Sequence, residues 1–150
     1  MLMEKGDISS ETNPRLLIEF EDLLGHPFAG DQRKSWFSRK VRKPAPNVSE
    51  WDIDDLVAKV IIDRSYRMHL EIDVITQGSA EFAVQLAERL DNEQIPARRV
   101  WSYQPRVLAR RLISMPYVAA VYTPSREHAL LYGSKGRLVT PENVVQIGNF

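Results

Sequence analysis

The stretch His69-Leu70-Glu71-Ile72-Asp73-Val74-Ile75-Thr76-Gln77-Gly78-Ser79 decides the fold. Residues 69–76 alternate well enough for a strand, and Gln77-Gly78-Ser79 is a turn. Beyond it Phe82, Ala83, Leu86, Ala87 and Leu90 recur at helical spacing, with Glu81, Gln85, Glu88 and Arg89 on the opposite face. Pro96 separates this helix from a short strand at 98–103, and Gln104-Pro105 opens a helix whose stripe is Val107, Leu108, Leu112 and Ile113. Residues 117–123 are apolar on both faces, as in a central parallel strand. Ser125 is positioned to cap a short helix through Tyr132, with Gly133 just past its end and a last strand near 137–140. Strands and helices thus alternate from His69 onward, which implies a parallel sheet with right-handed crossovers. The expected fold is α/β: a small three-layer sandwich with a mostly parallel sheet of three or four strands, spanning 49–150.

Upstream, Ser49-Glu50-Trp51-Asp52 resembles a capping box, and Ile53, Leu56, Val57, Val60 and Ile61 follow at helical spacing. The spacing predicts a helix over 49–66; a strand over 57–62 is the alternative, because Val and Ile are β-branched. Asn13-Pro14 begins another candidate helix, 14–24, in which Leu16, Leu17, Phe20, Leu23 and Leu24 share a face and Gly25 ends it. Between them, residues 30–47 contain Pro44 and Pro46 and read as an extended arm. Residues 1–48 are accordingly an N-terminal helix plus basic arm.

The formal net charge is zero, but its distribution is uneven. Residues 4–22 sum to −4, residues 31–43 to +5, and residues 96–116 carry five arginines and no acid. Such segregation indicates an anionic partner or pairing between the chain's own segments. The absence of cysteine excludes disulfides and thiolate chemistry within this sequence. No signal-peptide pattern and no bilayer-length apolar run are present, so the expectation is a soluble, cytoplasmic protein without membrane association.

Ligands of open parallel sheets bind at the carboxyl ends of the strands. Here those ends carry Thr76, Gly78 and Ser79 in one loop, and Thr123, Ser125 and Arg126 in another. Both loops lead into helix N-termini, so together they form a candidate anion site. Ser79 and Ser125 serve equally as ordinary N-caps, and Gly78 as a turn residue.

The segment 72–79 resembles the second motif of the haloacid dehalogenase-like (HAD-like) phosphohydrolases, a strand ending in Thr or Ser before a helix. Residues 83–99 and 117–133 resemble that family's following helix, strand and fourth motif. The resemblance implies an α/β scaffold, an Asp-x-Asp nucleophile motif at the end of the first strand, a lysine, and acids for magnesium. Asp52-Ile53-Asp54 has the Asp-x-Asp spacing but falls in the first turn of the expected helix, where acids complement the dipole. Arg106 and Arg110 stand near the place of the lysine, and Val121-Tyr122-Thr123-Pro124-Ser125 supplies no acid. The resemblance therefore reaches the scaffold and not the chemistry.

No other constellation identifies a reaction, and neither a cofactor nor a metal site is expected. His26, His69 and His128 are isolated, Ser125 with His128 reads as a cap plus a surface histidine, and Gly133-Ser134-Lys135-Gly136 reads as a turn. The arm is the sharper feature: Trp36 and Phe37 lie among Arg33, Lys34, Arg39, Lys40, Arg42 and Lys43. Such a segment suits a protein partner or self-association, with Trp and Arg as anchors, or the acidic stretch Glu19–Asp22 of the same chain. It also suits nucleic acid, through stacking and phosphate contacts. The reading is a non-enzymatic interaction or assembly protein; the alternatives are a nucleic-acid-binding protein and a HAD-like phosphohydrolase.

Overall fold

A computed structural model describes residues 13–27 and 47–147. In chain order the elements are β1 (Arg15–Glu19), β2 (Gly25–Pro27), a 3-10 turn (Val48–Glu50), β3 (Trp51–Ile53), α1 (Asp55–Met68), β4 (Glu71–Thr76) and α2 (Ala80–Asn92). They continue with β5 (Ala97–Ser102), α3 (Pro105–Arg111), β6 (Val118–Thr123), α4 (Arg126–Leu131), β7 (Gly136–Leu138) and α5 (Val144–Ile147). The alternation read downstream of His69 is present, and the expected three-layer α/β architecture with it. Among the described residues the sheet has five strands rather than the three or four expected, all parallel, in the order β5-β4-β1-β6-β7, the additional one being β1. β2 and β3 form a separate antiparallel pair, Gly25 opposite Ile53 and Pro27 opposite Trp51.

The first correction concerns β1. Residues 14–24 do not form a helix; Arg15–Glu19 is the middle strand of the sheet, and every one of its residues is buried. Leu16-Leu17-Ile18 is a continuous apolar run, which suits a strand covered on both faces, whereas an amphipathic helix needs only one apolar stripe. Leu16 and Ile18 pack with α1 and α2 through Val57, Ile61, Phe82 and Leu86. Leu17 points the other way, to Leu108 and Leu112 at α3, with Ile75 and Val121 beside it. The sheet thus draws its central strand from ahead of residue 49.

The second correction concerns α1. Its cap is Asp54, whose carboxylate accepts from Val57 N at 3.0 Å, and not Ser49. Residues 48–53 form the 3-10 turn and β3 instead, because Trp51 is drawn into a buried aromatic cluster with Phe20 (5.1 Å between centroids) and Phe82 (6.4 Å). At the other end His69 takes a left-handed conformation (φ 56°) and closes α1, so β4 starts at Glu71.

The basic arm lies outside the described residues, but its flanks do not. It does not precede the domain: Pro27 and Trp51 are paired, so residues 28–46 connect two points of one folded unit. Among the described residues, no helix is long and apolar enough to cross a membrane.

Candidate functional site

β1 ends between β4 and β6, and the side chains at these three strand ends meet. Strand alternation sends Glu19 to the Leu17 face of the sheet and Phe20 to the opposite face. After Glu19 the chain bends: Phe20 N donates to Ile75 O at 2.8 Å, and Gly25 N returns to Phe20 O at 2.7 Å. Gly25 is required there, since a Cβ would fall 2.2 Å from the Phe20 ring. The bend brings Glu21 over the end of β4.

Glu19 is buried and is met by three side chains from β6 and the helix after it. Thr123 Oγ1 donates to Oε1 at 2.7 Å, Tyr132 OH donates to Oε2 at 2.6 Å, and His128 Nδ1 lies 3.1 and 3.0 Å from the two oxygens. A buried carboxylate is costly unless hydrogen-bonded, and these contacts offset that cost. Burial, then the Glu19 charge, pushes the Tyr132 phenol far above its ordinary range, so it stays a donor. Glu21 accepts from the Thr76 hydroxyl and from Gln77 N at 3.3 Å. Its carboxyl pKa is raised, chiefly by burial and in small part by Glu19, against the lowering effect of the Thr76 and backbone hydrogen bonds.

The two loops expected to hold an anion are therefore neighbours, flanking β1, and their donors face the protein's own carboxylates. Thr76 and Thr123 are fully buried and spend their hydroxyl protons on Glu21 and Glu19. Gly78 N and Ser125 N donate to those same hydroxyl oxygens at 3.0 and 3.1 Å. Ser79 and Ser125 are N-caps, accepting from Phe82 N and His128 N, each at 3.1 Å. Arg126 is exposed in the first turn of α4. The contact candidates Arg33, Lys34, Trp36, Phe37, Arg39, Lys40, Arg42 and Lys43 lie outside the described residues. Asp52 is exposed on β3, and Asp54 combines the α1 cap with a 3.1 Å contact to His26 Nε2, so the Asp52-x-Asp54 spacing belongs to a helix start.

Sequence reasoning missed Glu19, Glu21, His128 and Tyr132. The signal was Glu19-Phe20-Glu21 directly after the apolar run Leu16-Leu17-Ile18: an acid-x-acid pair at a strand end, hidden by reading the run as a helix. His128 is not a surface histidine but is half-buried against Glu19.

The chemistry open to this cluster is narrow. With Nδ1 of His128 held by Glu19, only Nε2 remains to exchange a proton, and among the described residues no hydroxyl is hydrogen-bonded to it. The HAD-like resemblance implies magnesium, but the donor set does not fit: both carboxylates are occupied by hydroxyl, imidazole and amide donors. Among the described residues, no three His, Asp or Glu groups converge as a cation needs. A separate open groove of about 410 Å³ lies where the chain re-enters, between Val48, Ser49 and the α2 residues Gln85, Glu88, Arg89 and Asn92. Comparison of the chain with protein-family models, with curated proteins and with solved structures finds no significant match.

Proposed function

We propose that the chain is a non-enzymatic interaction protein, with the α/β domain as scaffold and the basic, aromatic segment 33–43 as its contact element. The observation that carries this reading is the saturation of Glu19 by Thr123, His128 and Tyr132, which turns the strand-end position usual for chemistry into a structural hydrogen-bond centre. The placement of the segment supports it as well. Its flanks are Pro27, paired with Trp51, and Asn47, whose carbonyl accepts from Glu50 N at 3.0 Å, so a partner held by the segment is held close to the scaffold. Trp and Arg are the residue types that most often anchor protein interfaces, which makes a protein, including a second copy of this chain, the favoured partner.

We read the HAD-like resemblance as one of scaffold alone. Glu19-x-Glu21 stands at the end of the first strand, where that resemblance implies Asp-x-Asp, and Thr76 ends the strand that resembles the second motif. Glutamate carries its carboxylate one methylene farther than aspartate, and here that reach is used to meet β6 and α4.

Size-exclusion chromatography with light scattering, on the full chain and on a chain whose residues 28–46 are replaced by a short Gly-Ser linker, tests the proposal. Assembly that disappears with the segment is the expected result; a monomer indifferent to the replacement overturns it. Magnesium-dependent phosphatase turnover that is lost in Glu19→Gln would instead favour the enzyme.

A further inference from the structure

The five arginines of residues 96–116 fall on β5 and α3, at one margin of the sheet, together with two aromatic rings. β5 is an edge strand, and its residues are partly exposed throughout. Arg99, Trp101 and Tyr103 occur at alternate positions and so share a face. The Arg99 guanidinium sits over the Trp101 ring, 5.4 Å from its centroid, and the Trp101 and Tyr103 rings stack at 5.7 Å with an interplanar angle of 16°.

This row is held rigidly. Trp101 Nε1 donates to Asp73 at 2.8 Å, and Arg98 clasps the same carboxylate at 3.2 and 3.1 Å. Tyr103 packs with Ala109 against the cluster of Leu17, Ile75 and Leu108, which sets α3 alongside the row. The helix then presents Arg106, Arg110 and Arg111, all exposed, and no acid. Asp73 and Glu71 are the acids nearest the row on β4; Asp73 is buried under Arg98, and Glu71 lies 3.6 Å from Arg98.

We infer that this margin is a binding surface for single-stranded nucleic acid, separate from the segment 33–43. Trp101 is flanked by its two neighbours in this row, so the partly exposed Arg99 guanidinium and Tyr103 ring at the row's ends offer the outer stacking planes to unpaired bases, while the α3 arginines supply the phosphate contacts that any such strand requires. A duplex hides its base faces and cannot use the row. An acidic protein would use the arginines but not the stacking order of Arg99, Trp101 and Tyr103.

The test is fluorescence anisotropy with labelled oligo-dT, oligo-U and a duplex of equal length, over a salt series. It uses the full chain and a full-length variant with the six bases of 33–43 changed to glutamine. Both chains should bind the single strands better than the duplex, the dT and U arms telling DNA from RNA. Arg106→Glu with Arg110→Glu, at exposed positions, should weaken binding about tenfold or more and reduce the slope of log K against log salt by about 1.4. Tyr103→Leu, which keeps the apolar contact with α3, should weaken it at least about fivefold. In a Trp36→Phe background, with Trp51 buried, the strand should quench Trp101 emission. The inference is overturned if the double arginine variant leaves affinity and slope unchanged, if neutralising 33–43 abolishes all binding, if the duplex binds as well as the single strand, or if Trp101 emission does not respond.

Discussion

The Thr123 hydroxyl donates to the Glu19 carboxylate at 2.7 Å, although 104 residues separate the two in sequence. The contact joins the ends of the two adjacent strands β1 and β6, and Tyr132 reaches the other oxygen of the same carboxylate at 2.6 Å. The sheet is thereby locked at the edge where parallel α/β folds usually keep their chemistry.

Removing one donor from Glu19 should destabilise the fold measurably. A hydrogen bond to a charged group contributes about 1.5–3 kcal/mol, and the partner left behind is buried. Tyr132→Phe should lower Tm by about 4–10 °C in a chain of this length, by differential scanning calorimetry. Thr123→Val should act similarly, and the double variant should depart from additivity because both donors serve one carboxylate. Wild-type stability in Tyr132→Phe would show that the contact contributes nothing.

Glu21 should make stability fall as pH rises. Burial lifts its carboxyl pKa above the ordinary 4.5 in the folded chain, so folding favours the protonated form. That stabilisation is complete below about 4.5 and is lost as pH climbs through the raised folded-state value. Glu21→Gln keeps an acceptor for Thr76 and removes the titration. Urea unfolding between about pH 4 and 8 should show the variant gaining on wild type as pH increases; a gap independent of pH would contradict the assignment.

Two glycines should tolerate no side chain. A Cβ on Gly136 would lie 2.2 Å from the backbone oxygen of Ala129, and one on Gly25 equally close to Phe20, itself packed between Trp51 and Phe82. Alanine at either position should cost about 1–3 kcal/mol or more in chemical denaturation, with Gly136 the worse because a helix backbone cannot rotate aside.

What was legible in the sequence follows from how many readings each segment allowed. From β4 onward, turn residues and caps punctuate every change of period, and Gln77-Gly78-Ser79, Gln104-Pro105 and Ser125 mark helix starts that the structure contains. β1 had no such punctuation: Leu16-Leu17-Ile18 followed by Leu23-Leu24 fits a helical stripe as well as a buried strand, and only burial against β4 and β6 decides between them. The candidate site inherits that ambiguity. Thr76 and Thr123 were recognisable as strand ends, but their acid partners belonged to the misread segment, so the edge looked rich in hydroxyls and poor in acids. Trp51 is a similar case, since a capping-box reading of Ser49 cannot know that the indole is needed in the core.

Arg89 should hold the chain's re-entry after residue 46. Its Nη1 donates to Val48 O and to Trp51 O, both at 2.6 Å, while Nε binds Glu93 at 2.8 Å. One α2 side chain thus fastens the 3-10 turn and the start of β3, and with them one root of the segment 28–46. Arg89→Met retains the apolar stem, deprives two carbonyls of their donor and should cost about 1–3 kcal/mol. The loss should be local: hydrogen exchange should quicken in Gly25–Pro27 and Trp51–Ile53 while Arg15–Glu19 and Glu71–Thr76 keep their protection. If the segment 33–43 is the contact element, loosening its root should also weaken assembly in light scattering without lowering the helix content of the scaffold. Uniform acceleration across all strands would mean that Arg89 supports the whole fold and not the root alone.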